Sequence, residues 1–396
     1  MTNLRNMTLL GMTLGLVLVA APSSAQYLAV GLDEKLSWDE AGNQVLSASG
    51  KDALCIIDIG LRTRPQIVAS ISLPNTVMAP PTNVAVTPDQ RLALMTNAME
   101  WSQDEANPKS EPDNKIFLVD LKANPVGLTS TIEVGASPSG LAINRAGDLA
   151  LVANSGDNSV SVLAIKGAVG TLLGKVALAP ADAPNARVNT VAISPNGKLA
   201  LVTKSADHKV AVIDIDGQQV SYTGTDIPVG LWPSAVQIAP SGKFALVANG
   251  GSAAGSDGNV DTVSVVDLET KPPRVIDHLV LGDGPSSLAI SPTSPLAVAV
   301  LANGTGPVAK AAPYRHDHAV LAILKIDGKK IVKVGEIELG AYARGAAFSP
   351  DGRYLYVGNF LDRDLAIFKV EGTKLMKVGS NFKLPGRPAS VRGSAP

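Results

Sequence analysis

One short apolar segment recurs along this chain: Pro138-Ser-Gly-Leu-Ala-Ile143, Val188-Asn-Thr-Val-Ala-Ile193, Pro233-Ser-Ala-Val-Gln-Ile238, Pro285-Ser-Ser-Leu-Ala-Ile290 and Ala343-Arg-Gly-Ala-Ala-Phe348. Most copies run into a Pro-centred turn, as in Ser194-Pro-Asn-Gly197 and Ser349-Pro-Asp-Gly352, and then into a second apolar strand such as Leu199-Ala-Leu-Val202. Pro at the second turn position presets φ, and Gly at the fourth lets the chain reverse, so each pair reads as antiparallel neighbours. The 138 copy departs from this, with Asn144-Arg-Ala-Gly147 in the turn. A third strand, often ending in Asp, and a weaker, solvent-facing fourth complete each unit.

First strands begin near 81, 138, 188, 233, 285, 343 and 388, a spacing of 45 to 58 residues. Four strands per unit at this period predict an all-β, seven-bladed β-propeller. The strand at 388 has no room for a successor, and the N-terminal unit lacks a first strand. Pairing of the C-terminal strand with the N-terminal blade therefore closes the ring and leaves no inner edge unpaired. In that blade, Gly42–Ser47 and Ala53–Asp58 read as the second and third strands. Tyr27–Val30 fits either a competing inner strand of blade 1 or an outer strand of blade 7.

Composition agrees with many short strands and tight turns: 37 Gly, 27 Pro, 45% hydrophobic residues and only 17% charged ones. A formal net charge of −1 argues against nucleic-acid binding. The one cysteine, Cys55, cannot form an internal disulfide, and it alternates into a strand interior as a core residue. Residues 1–25 read as a signal peptide: Arg5, an apolar run from Leu9 to Ala21, then small residues at Ser23 and Ala25 before the cut. The expected mature chain, 26–396, is then a single propeller domain in the periplasm or outside the cell, with no membrane contact and monomeric.

The pattern resembles the YVTN-type β-propeller repeat family. Its best copy here is Phe348-Ser-Pro-Asp-Gly-Arg-Tyr-Leu-Tyr-Val-Gly-Asn359, with weaker ones at Leu149–Asn154 and Phe244–Asn249. At Thr203-Lys204 the closing Asn is replaced. The resemblance implies a seven-bladed fold and includes lactonase-like relatives alongside propellers with no settled reaction.

Function is expected on the face with the longer, irregular loops: 98–114 in blade 2, 250–259 in blade 5 and 303–318 in blade 6. The residue before each inner strand should point into the channel mouth; around the ring these are Pro80, Ser137, Arg187, Trp232, Gly284, Tyr342 and Arg387. With Arg344, this makes Arg187, Trp232, Tyr342, Arg344 and Arg387 the candidate ligand-binding set. Guanidinium groups bind carboxylates bidentately, and aromatic rings cover apolar or sugar surface. His316 and His318 are the candidate acid–base pair, placed on one side of an extended segment. No third metal ligand accompanies them, and the acidic blade 2 loop lacks EF-hand spacing, so no metal and no cofactor is expected. With no positioned nucleophile in view, the sequence favours a non-catalytic propeller binding a small anion or a protein partner. The alternative is a lactonase-like hydrolase or isomerase acting on a small anionic or lactone substrate. An electron-transfer role ranks behind both, because no haem-attachment motif exists.

Overall fold

The computed structural model describes residues 26–47, 51–104, 107–253 and 255–394, so the expected export segment lies outside the described residues. Seven sheets stand around a central channel, six of them four-stranded. In the seventh the outer strand is split into Lys374–Lys377 and Phe382–Lys383, both paired to Asp364–Glu371. The inner strands, from blade 1 to blade 7, are Pro388–Gly393, Val84–Val86, Pro138–Ile143, Val188–Ile193, Pro233–Ile238, Pro285–Ile290 and Ala343–Phe348. This is the seven-bladed β-propeller that the repeats predict.

Both faces of each blade pack on a neighbour, which is why second and third strands such as Leu149–Asn154 read as unbroken apolar runs. The core therefore lies between blades: Val160 and Val162 of blade 3, for example, meet Val191 and Val202 of blade 4. Fourth strands such as Val169–Ala177 alternate exposed and half-buried residues and form the outer wall.

Closure occurs as expected, with Leu28 opposite Gly393 and Val30 opposite Val391. The strand that receives the C terminus is Tyr27–Leu32, which is thus the second strand of blade 1. This corrects the assignment of Gly42–Ser47. Tyr27–Leu32 is buried almost throughout, as a strand between two blades must be, whereas Gln44–Leu46 is largely exposed and pairs with Leu36–Trp38 in a separate hairpin.

Two local devices recur. Asn154 and Asn249 end second strands and turn their amides onto the third strand, donating to Ser161 Oγ and Ser264 Oγ at 2.9 Å each. The link into each of these blades crosses directly over that amide at Gly135 or Gly230, where any Cβ would overlap it. Where Lys204 replaces the Asn, its ammonium pairs instead with Asp226 at 2.9 Å and Asp207 at 3.1 Å. The second device is a left-handed residue just before the inner strand: Ser137, Arg187, Trp232, Gly284 and Tyr342 have φ between 50° and 65°. Such φ is uncommon outside glycine. Its recurrence from blade to blade makes it the way the chain turns from the rim into the channel.

The hairpin of blade 1 is anchored by a buried charge cluster. Lys35, 5% exposed, donates to Asp52 and to the Asn75 carbonyl and lies 3.6 Å from Asp33. Asp33, fully buried, accepts the N–H groups of Leu36 at 3.1 Å and Val77 at 2.8 Å. The cluster thereby ties the hairpin base to residues 75–77. Lys35→Met should leave two buried carboxylates without a counter-charge and lower unfolding free energy by about 3–5 kcal/mol. Denaturant titration would read this, and a loss below ~1 kcal/mol would show that the cluster is not the anchor.

Candidate functional site

Links between blades and loops from second to third strands share one face, called upper here; the turns from first to second strands share the lower face. At the upper mouth the hairpin Leu36–Leu46 crosses from blade 1 toward blade 6. Its tip docks there, with Lys310 N–H donating to the Glu40 carbonyl at 2.8 Å and the Lys310 ammonium 2.9 Å from the Glu40 carboxylate. Its middle rests on blade 7, where the Trp38 ring meets Tyr342 edge-on at 5.1 Å and Phe360 at 5.9 Å.

The stretch expected as an open blade 2 loop is instead a long hairpin, formed by Leu92–Asp104 and Asn107–Asp120. It brings the Trp101 indole N–H within 3.3 Å of Thr76 Oγ. Its two arms pair from Glu100 opposite Glu111 to Asp104 opposite Asn107 and so extend the blade 2 sheet, while Trp101 packs against the cluster of Leu36, Val77 and Phe360.

A cavity of about 120 Å³ lies at this mouth. The structure brings Trp232, Tyr342 and Arg344 together on its wall with Asn189, Ser234 and Ser286. The Arg344 guanidinium donates to the carbonyls of Val77 at 2.8 Å and Ala79 at 2.6 Å, and stacks 5.4 Å from the Tyr342 ring centre. Its Nε has no partner, and among the described residues no carboxylate comes within ion-pair distance. Nη1 also donates to the Tyr342 hydroxyl at 3.3 Å, and a half-buried cation held only by neutral oxygens is a ready anchor for an anion.

Other candidates lie elsewhere. Arg187 is exposed and lies outside the cavity wall, its backbone N–H taken by Asn185 at 2.8 Å. Arg387 is turned away to hold the hairpin base, donating to the carbonyls of Leu36 at 2.6 Å and Glu34 at 3.0 Å. His316 and His318 are exposed on the blade 6 loop. The His318 ring nitrogen Nδ1 lies 3.1 Å from the Leu339 carbonyl beside the outer strand, so it faces the periphery rather than the channel.

Sequence reading missed the carboxylates behind the cavity. Asp257, Asp261 and Asp283 bring one oxygen each within 4.8 Å of the others. Asp257 lies in blade 5's long loop, Asp261 opens the strand Asp261–Asp267 and Asp283 lies in the link to blade 6, so they share no motif spacing; the only signal was the density of Gly in that long loop. Asp261 accepts the N–H of Gly284, a cavity-wall residue, at 2.9 Å, and Asp283 accepts that of Asp257 at 3.1 Å. Burial, followed by the charges of Asp257 and Asp283, pushes Asp261 up to about 6. Oxygen-only clusters of this kind suit hard divalent cations, and these three residues are the ones that could hold one.

The sequence model of a family described as Lactonase, 7-bladed beta-propeller, matches residues 115–268. No curated protein matches the chain. Among solved structures, the periplasmic gluconolactonase of Pseudomonas aeruginosa is 19% identical with a TM-score of 0.65, covering 94% of this chain and 99% of its own. A Bacteroides fragilis protein provisionally described as a 6-phosphogluconolactonase is 18% identical with a TM-score of 0.69, covering 95% and 99%. The hydrazine synthase of Kuenenia stuttgartiensis is 17% identical with a TM-score of 0.60, covering 81% and 91%, so the fold alone spans several chemistries. The family match over residues 115–268, with lactonase-named structures among the neighbours, overturns the expectation of a non-catalytic binding propeller in favour of the lactonase-like alternative.

The raised value of Asp261 has a measurable consequence. In the native state it binds a proton more tightly than the unfolded chain does, so stability should fall as pH climbs from the usual 3.8 through about 6. Asp261→Asn keeps an acceptor for the Gly284 N–H and removes the charge. Its melting temperature should lose less across that window and exceed the wild type's at pH 7; parallel melting curves would place Asp261 in an ordinary carboxylate environment.

Proposed function

We propose that the protein is a hydrolase that opens a small lactone, of sugar-acid type, at the upper channel mouth. The observation that carries this reading is the unneutralised Arg344 guanidinium sharing one cavity with the Trp232 and Tyr342 rings, in a chain whose residues 115–268 match a lactonase family model. Arg344 takes the negative group of the substrate, or the oxyanion that forms when water adds to the lactone carbonyl. Flat rings cover the carbon skeleton of the sugar acid.

Water must lose a proton as it attacks, and the group assigned to accept it is Asp261, beside the glycine-rich cavity wall. A carboxylate raised to about 6 is ionised at neutral pH yet basic enough to take a proton in the transition state. The water oxygen forms the new bond to the carbonyl carbon, the ring C–O bond breaks, and the alkoxide leaving group is reprotonated to give a hydroxy acid. Neighbours named as a gluconolactonase and a 6-phosphogluconolactonase support this substrate class, and the periplasmic one supports export.

The test is proton release from glucono-δ-lactone and its 6-phosphate, measured above the spontaneous rate. For the better substrate, kcat/KM should rise through pH ~6, and Asp261→Asn should lower kcat and flatten that rise. Arg344→Lys, which keeps charge but loses the planar fork, should cost roughly 100-fold in kcat/KM. No acceleration of either lactone, or a wild-type rate and pH profile in Asp261→Asn, would refute the assignment.

A further inference from the structure

The lower end of the channel holds a second cavity, of about 210 Å³. Six blades contribute to its wall, mainly through the ends of inner strands and the turns that follow. Apolar side chains such as Val191, Val236, Ile290 and Phe348 share that wall about equally with polar surface, to which Ser194, Gln237 and Ser349 contribute. The two charged residues on it are both arginines, Arg145 and Arg392.

Each has a specific origin. Blades 4 to 7 put Pro at the second position of the first turn, at Pro195, Pro240, Pro292 and Pro350, and these ring the cavity. Blade 3 has Arg145 at that position, exposed at the rim. Arg392 comes from the closing strand, where it sits opposite Ala29 and turns its side chain across the channel. Its one hydrogen bond, from Nη1 to the Leu141 carbonyl, is 3.5 Å long. Among the described residues neither arginine has a carboxylate within ion-pair distance, and no acidic residue lines the cavity. Burial without any compensating charge pulls Arg392 down to about 10, so it stays protonated at neutral pH.

Arg392 is a half-buried guanidinium with one long hydrogen bond and no counter-charge, so an anion that pairs with it completes its hydrogen bonding. We propose that the lower mouth is a binding site for a small organic carboxylate, whose carboxyl group pairs with Arg392 and Arg145 and whose apolar body fills the chamber. The Val191, Val236, Ile290 and Phe348 side chains give an organic body apolar contacts that an inorganic anion cannot use, and the volume lies below the range of drug-sized pockets, so the ligand is small. No side chain on this wall titrates near neutrality in its ordinary state, so the site binds rather than turns over. It is separate from the upper cavity and does not depend on the activity assigned there.

The probes are benzoate and inorganic phosphate, titrated calorimetrically into the purified chain. Benzoate should bind saturably at micromolar to millimolar concentration and more tightly than phosphate. Arg392→Met should weaken it about tenfold or more, and Arg145→Gln, at an exposed position that tolerates change, about threefold. Arg344→Lys, at the opposite mouth, should leave benzoate affinity unchanged. Should Arg392→Met fail to fold, the Arg145→Gln comparison decides. The proposal is overturned if benzoate does not bind, if phosphate binds equally well, if neither lower-mouth variant weakens binding, or if the loss appears in Arg344→Lys instead.

Discussion

Everything in this molecule rests on the antiparallel pairing of Pro388–Gly393 with Tyr27–Leu32. A propeller blade left open would expose an apolar inner edge and the flank of its neighbour, and the channel would have a gap in its wall. By joining the two ends of the chain, this one ladder fixes the radius of the ring and brings inner strands from all seven blades around one axis. It also delivers Arg392 to the lower mouth, and through Arg387 it holds the base of the blade 1 hairpin over the upper one.

The two mouths are chemically different because different kinds of chain segment reach them. Short type I turns close the lower face; their prolines and small residues make an apolar collar with positive charge at two points. Longer excursions reach the upper face, and they carry aromatic rings, an anchored hairpin and acids. Arg344 is common to both requirements of the upper mouth. It staples residues 77 and 79 across the channel, and its charge stays unneutralised while it does so. An acid with a raised pKa lies near that cavity and none lines the lower one, and the hydrolytic and binding roles proposed for the two mouths rest on this difference.

Much of the fold was legible because each inner strand is a short apolar run bounded by a punctuating turn. Starts expected at 138, 188, 233, 285, 343 and 388 are the starts observed. The error in blade 1 has a physical cause: Gly42–Ser47 and Tyr27–Leu32 look alike locally, and only the distant C-terminal strand decides which of them is sandwiched. Site residues were legible to the extent that backbone position fixes them. Five of the seven positions before inner strands, Ser137, Arg187, Trp232, Gly284 and Tyr342, share a left-handed conformation. Where their side chains turn was not legible: Trp232 and Tyr342 face the cavity, Arg387 faces the hairpin, and Arg187 stays outside. Alternation put His316 and His318 near one another, but both are exposed and the His318 ring turns to the Leu339 carbonyl. The Asp257, Asp261 and Asp283 cluster exists only once blades 5 and 6 are adjacent, so no linear spacing announces it.

The most direct measurement is a crystal structure of the protein with a bound aldonate, the product of sugar-lactone opening. Its carboxylate is expected within hydrogen-bond distance of the Arg344 guanidinium, with the carbon chain against Trp232 and Tyr342 at the hairpin-covered mouth. An aldonate found only beside Arg392 at the opposite end, or found nowhere in the channel at saturating concentration, would contradict the assignment of the upper mouth as the hydrolytic site.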